Sequence, residues 1–302
     1  METVARGLGF PEGPIAMQDG SVLLVEIRNQ CLTRVAPDGT KSVVAHLGGG
    51  PNGAAIGPDG AVYIANNGGF VWHDYAGGEM APHGVPADYA GGSIQRCDPK
   101  TGSVSTLYVE CDGRKLSGPN DLVFDRHGGF YFTDFGKGTD EWESRGQLYY
   151  ALPDGSRIVH VRGPLNRPNG VGLSPDEKVV YVAESFTARL WAFDIIAPGV
   201  VAPPRDHMTP GRHVWNAPGY QVLDSLAVEE GGNICIATVV NGGINVVSPT
   251  GSAHHVAVPA FMVTNICFGG PERRTAWITA GGSGELFKVE WPRPGLRLNF
   301  GD

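Results

Sequence analysis

One spacing constrains this chain more than any other feature. Six times, a polar residue follows a turn, opens a short apolar stretch, and is followed eight residues later by the end of a second turn that leads into a β-rich strand. The polar positions are Glu12, Asn52, Asn120, Asn169, Asp224 and Asn265. The matching turn ends are Gly20, Gly60, Gly128, Glu177, Gly232 and Arg273. The strands that follow include residues 21–27 (SVLLVEI), 129–133 (GFYFT) and 179–183 (VVYVA). They carry the β-branched and aromatic residues that suit a pleated, half-buried surface. No amphipathic pattern of helical period persists over a dozen residues, so the chain reads as all-β. In four units a further turn joins the later strands: Pro37-Asp38-Gly39, residues 99–102 (PKTG), Pro153-Asp154-Gly155 and Pro249-Thr250-Gly251.

Four-stranded units recurring at such intervals are the sequence form of propeller blades, and six of them account for nearly the whole chain. The pattern therefore predicts a six-bladed β-propeller forming a single domain over residues 1–302. Two stacked sandwiches are the competing arrangement, but they have no reason to restart each hairpin pair on the same polar position. Residues 3–8 are expected to supply the outer strand of the last blade, which otherwise ends with residues 285–290 (ELFKVE), so that no sheet edge is left open. Composition agrees. The 45 Gly and 23 Pro among 302 residues are spread along the chain as turns, and only 18% of residues are charged. The formal net charge of −8 comes without a Lys/Arg cluster, which argues against a nucleic-acid partner. No apolar run reaches the ~18 residues of a membrane span, and residues 1–6 have no apolar signal core. Cys31, Cys97, Cys111, Cys235 and Cys267 are odd in number and form no C-x-x-C pair. They read as free thiols of a reducing, cytoplasmic compartment.

In a propeller the first strand of every blade lines the central channel, so six equivalent positions face one axis. Here they bring two carboxylates and four amides together, with no His, Cys, Lys or Arg among them. Such a hard-oxygen set suits one divalent metal, Ca²⁺ by preference, with Mn²⁺, Zn²⁺ or Fe²⁺ as substitutes. An Asn-Gly pair such as Asn52-Gly53 or Asn169-Gly170 is by itself an ordinary turn dipeptide; the sixfold register is what sets these apart. Asp121 follows Asn120, and strand alternation is expected to turn it away from the channel. The longest insertion, residues 66–92, carries Phe70, Trp72, His73, Tyr75, His83 and Tyr89 among many Gly, and loops of that length in a compact fold are usually functional. Asn52, Asn265, Trp72, His73 and His83 are candidate substrate contacts. Residues 135–145 and 186–189 are further candidate pocket loops.

Several segments, taken together, carry a family resemblance: Phe10-Pro11-Glu12-Gly13-Pro14, residues 118–125 (GPNDLVFD), Arg167-Pro168-Asn169-Gly170-Val171, Leu223-Asp224-Ser225-Leu226 and residues 264–270 (TNICFGG). The chain resembles the senescence-marker-protein (regucalcin), gluconolactonase and luciferin-regenerating-enzyme-like family, the SMP-30 family. The resemblance implies a six-bladed propeller with a catalytic divalent cation. It maps the metal glutamate onto Glu12, the metal asparagines onto Asn120 and Asn169, and the key aspartate onto Asp224. It also implies a hydrolase that opens a small lactone by attack of water on a polarised carbonyl. Gly118 departs from the Arg that sugar-lactone members carry two residues before the Asn120 position. As one of the two ring acids, Asp224 is the expected general base, with direct nucleophilic attack by Asp224 as the alternative. A phosphotriesterase-like hydrolase on the same metal site, and a non-catalytic calcium- or protein-binding propeller, are the competing functions.

Overall fold

The computed structural model describes residues 1–139 and 141–301. Among these there is no helix, and six small sheets are arranged as a six-bladed β-propeller. Blade 1 runs through Pro11–Ala16, Val22–Glu26, Cys31–Val35 and Lys41–His46; blade 2 through Pro51–Ile56, Val62–Asn66, Ser93–Cys97 and Val104–Tyr108. Blade 3 holds Pro119–Phe124, Phe130–Asp134, Gly146–Ala151 and Ile158–Leu165. Blade 4 holds Pro168–Leu173, Val179–Glu184, Arg189–Ala197 and Arg212–Asn216, with the short Val200–Val201 pairing beyond. Blade 5 is Leu223–Val228, Ile234–Thr238, Gly243–Val247 and Ala253–Ala257. Blade 6 is Val263–Gly269, Thr275–Ala280 and Glu285–Glu290, and its fourth strand is Glu2–Ala5 from the other end of the chain. Every pairing inside the blades is antiparallel. The first strand of each blade therefore runs away from the face where the chain enters it, and the loops between second and third strands return to that face.

The hydrophobic core is divided. Apolar side chains form six clusters, each wedged between two neighbouring blades. Tyr63, Tyr108, Phe124, Phe130 and Tyr149 pack blade 2 on blade 3, while Trp277, Leu286, Leu24 and Val35 pack blade 6 on blade 1. The axis itself is left as a channel.

Two local features explain the repeated spacing. The turn that ends each first hairpin needs a left-handed residue. Gly20, Gly60, Gly128 and Gly232 meet that need, with φ from 75° to 90°. In the other two blades Glu177 (φ 56°) and Arg273 (φ 52°) hold the same conformation, which costs an ordinary residue about 1–2 kcal/mol. Both are held there by their side chains. Glu177 accepts bonds from the Arg126 backbone and guanidinium at 2.9 Å, and Arg273 donates to the Gly295 carbonyl at 2.9 Å. The Gly after the polar position answers a different demand. A Cβ on Gly53 would lie 2.5 Å from the Asn120 carbonyl oxygen, and one on Gly170 would lie 2.6 Å from the Leu226 nitrogen. Neighbouring inner strands approach so closely that only glycine fits; these Asn-Gly pairs sit inside strands and are not turns.

The face opposite the chain's entry points is spanned by the last segment of the chain. Residues 291–301 cross it beneath blades 5, 4 and 3. The Leu296 N–H donates to the Val228 carbonyl (2.8 Å), and Asn299 Nδ2 donates to the Phe124 carbonyl (3.1 Å) and Glu177 Oε1 (2.8 Å). Phe300 meets Phe124 edge-on at 5.7 Å. Above this segment lies a cavity of about 420 Å³ lined by Ile56, Phe124, Leu173, Val228 and Phe268, with Asp121 and Asn265 toward its other end.

Candidate functional site

All six polar positions lie at the start of an inner strand, at the mouth of the channel opposite the segment that crosses the base. Each lies beside or within an irregularity of strand pairing, at Glu12/Ile15, Pro51/Gly53, Pro119/Leu122, Pro168/Val171, Leu223/Leu226 and Val263/Asn265. Such bulges bend the strand and re-aim side chains. Glu12, Asn52, Asn120, Asn169 and Asn265 are buried, whereas Asp224 keeps partial solvent contact.

Asn265 Nδ2 and the Gly13 N–H both donate to Glu12 Oε2 at 2.8 Å, and Asn265 Oδ1 accepts from the Ile266 N–H at 2.7 Å. Asn265 is thereby committed to orienting Glu12. Burial first, and the Asp224 carboxylate second, push Glu12 well above the usual carboxylate range. Asp224 is pushed up to about 7, mainly by burial and further by Asp121; hydrogen bonds from Asn169 and the Ser225 N–H work in the other direction. Asn169 in turn donates to Ser185 Oγ at 3.3 Å. Among the described residues, Asn120 Oδ1 is buried without a hydrogen-bond partner.

A buried acceptor without a donor is rare and costs free energy, and so does a pair of carboxylates in which one raises the other. One hard cation would relieve both. No three His, Cys, Asp or Glu side chains cluster for a metal among the described residues, so amide oxygens would have to complete any ligand set. The donors of Glu12, Asn120, Asn169 and Asp224 are hard oxygens, the chemistry that suits a divalent cation of the calcium type.

The structure corrects the expectation for Asp121. The bulge between Pro119 and Leu122 breaks the alternation, and Asp121 lines the channel, buried, just below the ring. Its carboxylate accepts from the Leu122 N–H at 2.9 Å, and burial lifts it to about 7. Only the bulge decides its direction, and a bulge leaves no compositional mark.

The long insertion contains a β-hairpin, Val71–Asp74 paired with Met80–His83. It reaches over blade 1: Arg28 forms an ion pair with Asp74, Trp72 packs on Phe10 at 5.2 Å between centroids, and the Met80 N–H donates to the Gly282 carbonyl of blade 6 at 2.9 Å. Trp72 thus sits against the segment that carries Glu12. His73 and His83 are exposed on the hairpin, and His73 stacks edge-on with Tyr75; neither is brought to the ring. The 135–145 loop contributes a residue the sequence reading passed over, while Asp140 within it lies outside the described residues. Lys137 is 2% exposed. Its ammonium donates to Asn67 Oδ1 (3.1 Å) and the Gly69 carbonyl (2.6 Å) and lies 3.4 Å from the Phe70 ring centroid. Burial pulls it down to about 7, although Asp134 opposes this. A lone Lys between two Gly carries no motif; only the fold reveals it as the strut between blade 3 and the foot of the hairpin.

Fold and site together define a six-bladed propeller whose channel mouth is ringed by acids and amides. Residues 10–282 match the family described as the SMP-30/Gluconolactonase/LRE-like region, and the chain belongs to that family. Over 306 aligned residues it is 26% identical to a gluconolactonase of Zymomonas mobilis, the match spanning 93% of this chain and 78% of the relative. Among solved structures, a gluconolactonase of Xanthomonas campestris superposes with a TM-score of 0.74 at 22% identity, covering 96% of this chain and 89% of the other. A calcium-binding regucalcin of Agrobacterium tumefaciens superposes with a TM-score of 0.71 at 17% identity, covering 97% and 98%. These two likenesses speak for the fold.

Proposed function

We propose that this protein is a divalent-metal-dependent hydrolase that opens a small lactone. The observation that carries the reading is the convergence at one channel mouth of the partly exposed Asp224, the buried Glu12 and the unpartnered oxygen of Asn120. Two named gluconolactonases among the relatives support the same reaction class, and the named calcium-binding relative supports Ca²⁺. Glu12, Asn120, Asn169 and Asp224 would hold the ion. When bound, it supplies positive charge that polarises an acyl carbonyl and stabilises the negative charge developing on its oxygen.

The rest is done by the chain. Asp224 accepts the proton of the attacking water and returns it to the departing alkoxide. Asn169 and the Ser225 N–H hold its carboxylate in place, and Asn265 keeps Glu12 turned toward the ring. The five unpaired thiols fit a reducing cytoplasm. Stripping the purified protein with a chelator, then following proton release from a lactone panel at constant pH, tests the reading. Hydrolysis should vanish on stripping and return with Ca²⁺; full activity in demonstrably metal-free protein would refute it.

A further inference from the structure

In five blades the residue just past the second strand donates its N–H to the carbonyl two residues before the ring residue. Ile27 donates to Phe10, Asn67 to Gly50, Phe135 to Gly118, Ser185 to Arg167 and Val239 to Val222, at 2.8–3.1 Å. Of these five, Asn67 and Ser185 carry a side chain that can hydrogen-bond. The register brings that side chain to the ring. Ser185 Oγ is 3.3 Å from Asn169 Nδ2 in its own blade. A Cβ on Gly50 would lie 2.3 Å from Asn67 Oδ1, so the Asn67 amide lies against the backbone that leads into Asn52.

Asn67 is 2% exposed. Its Oδ1 accepts from Lys137 Nζ at 3.1 Å and from the Gly69 N–H at 2.9 Å. A backbone N–H can only donate, so turning the amide over would set two donors against each other. Nδ2 is thereby fixed and buried and, among the described residues, has no acceptor. The ring holds the complementary case in Asn120 Oδ1, an acceptor without a donor. A cation can complete Asn120 but not Asn67, because a donor needs an oxygen. Buried donors left unpaired are rare, and this one is oriented by two bonds on a segment that carries a ring residue.

We infer that Asn67 is a further catalytic residue, whose Nδ2 donates a hydrogen bond to the acyl oxygen of the bound lactone. The inference rests on the hydrolase reading. The acyl oxygen is the substrate atom that gains negative charge as water attacks, and a preorganised donor facing it stabilises the transition state more than the ground state. At the same register Ile27, Phe135 and Val239 offer no donor, and Ser185 is already bonded to Asn169.

The test uses the full chain loaded with Ca²⁺, with metal occupancy measured in every sample. Asn67→Asp keeps an oxygen for Lys137 and Gly69 but exchanges the donor for an acceptor. Asn67→Ala removes the donor without adding charge. Each is assayed on a γ-lactone. Calorimetry follows binding of the matching lactam, whose planar carbonyl copies the ground state, and of the matching cyclic phosphonate, whose charged oxygen copies the tetrahedral stage. Both variants should lower kcat ~10²–10³-fold with KM little changed, weaken the phosphonate by a similar factor, and leave the lactam nearly as tight as in the parent. A merely structural role would weaken both analogues alike. Near-parental kcat in either variant at equal occupancy overturns the inference, and so does equal weakening of the two analogues. Should one variant not fold, by thermal melting, the other decides. If the parent turns over no lactone, the hydrolase reading fails and the phosphonate decides: weaker binding to the variants keeps the Asn67 donor, and unchanged binding removes it.

Discussion

The two ends of the central channel are built from the same six strands and differ in kind. At the mouth, every inner strand begins with an oxygen-bearing side chain, two of them acids raised above their ordinary range. At the base, the same strands end in Ile56, Phe124, Leu173, Val228 and Phe268, and a chain segment lies across them. Only three or four positions along each strand separate an arrangement that is costly until something binds from one that is satisfied on its own. Backbone close approach enforces both, since Gly53 and Gly170 let the strands converge at the mouth, while the six apolar wedges hold the blades apart from the axis. Tension is thus confined to one end, and stability is supplied elsewhere.

The contrast can be broken most severely at Asp224. Asp224→Asn keeps an oxygen for a cation but removes the proton acceptor, and we expect kcat on a good lactone to fall by ~10²–10⁴ even in fully metallated protein. Near-parental kcat at measured full occupancy would reduce Asp224 to a ligand. Glu12→Gln comes next. Metal affinity measured by calorimetry should weaken by more than the ~10–100-fold typical of losing an outer partner of a ligand, and Asn120→Ala should lose activity that saturating metal largely restores. Unchanged Ca²⁺ affinity in Glu12→Gln would remove it from the ring's function.

A third effect is smaller and has a defined sign. Asp224 is lifted from its ordinary 3.8 to about 7, and Glu12 is lifted also. Between these values the folded, metal-free protein binds more protons than the unfolded chain, so its stability falls as pH rises from about 4 to 7. Bound metal displaces those protons and should reverse the trend. Thermal melting with chelator and with Ca²⁺ at pH 5 and pH 7.5 would show the two curves diverging at the higher pH; parallel curves would mean that the acids do not feel the ion. The mildest break is at the base. Asn299→Ala deletes two hydrogen bonds and should cost ~1–2 kcal/mol in denaturant unfolding while kcat stays put. A kcat loss comparable to that of Asp224→Asn would show that the two ends are not independent.

Much of the architecture was legible because the inner-strand register recurs without a gap: every one of the six polar positions falls at the start of an inner strand, and the turn ends eight residues later hold positive φ in all six blades. Even Glu177 and Arg273, which lack the glycine, kept the count. The level of the ring residues followed from the same register. What resisted reading was set by backbone irregularities and by distant packing, neither of which leaves a mark in residue type. Asp121 turns inward because of a bulge, Lys137 is buried because a hairpin from another blade covers it, and the His residues of that hairpin look outward although they stood in the richest aromatic stretch of the sequence. Register is a property of one chain segment, whereas burial of a loop residue depends on what a distant segment lays over it.

The outer strand of blade 6 is Glu2–Ala5, and only six residues separate it from Glu12. The segment that shuts the ring is therefore the one that delivers its glutamate. On the ribosome, Glu12 leaves the tunnel first among the six ring residues, yet its partner Asn265 and the strand Glu285–Glu290 are made last. Blades can pack in order of synthesis, but the acid pair cannot face itself until the end of the chain is in hand. The strand that closes the circle and the residue that orients Glu12 thus arrive together, late in synthesis.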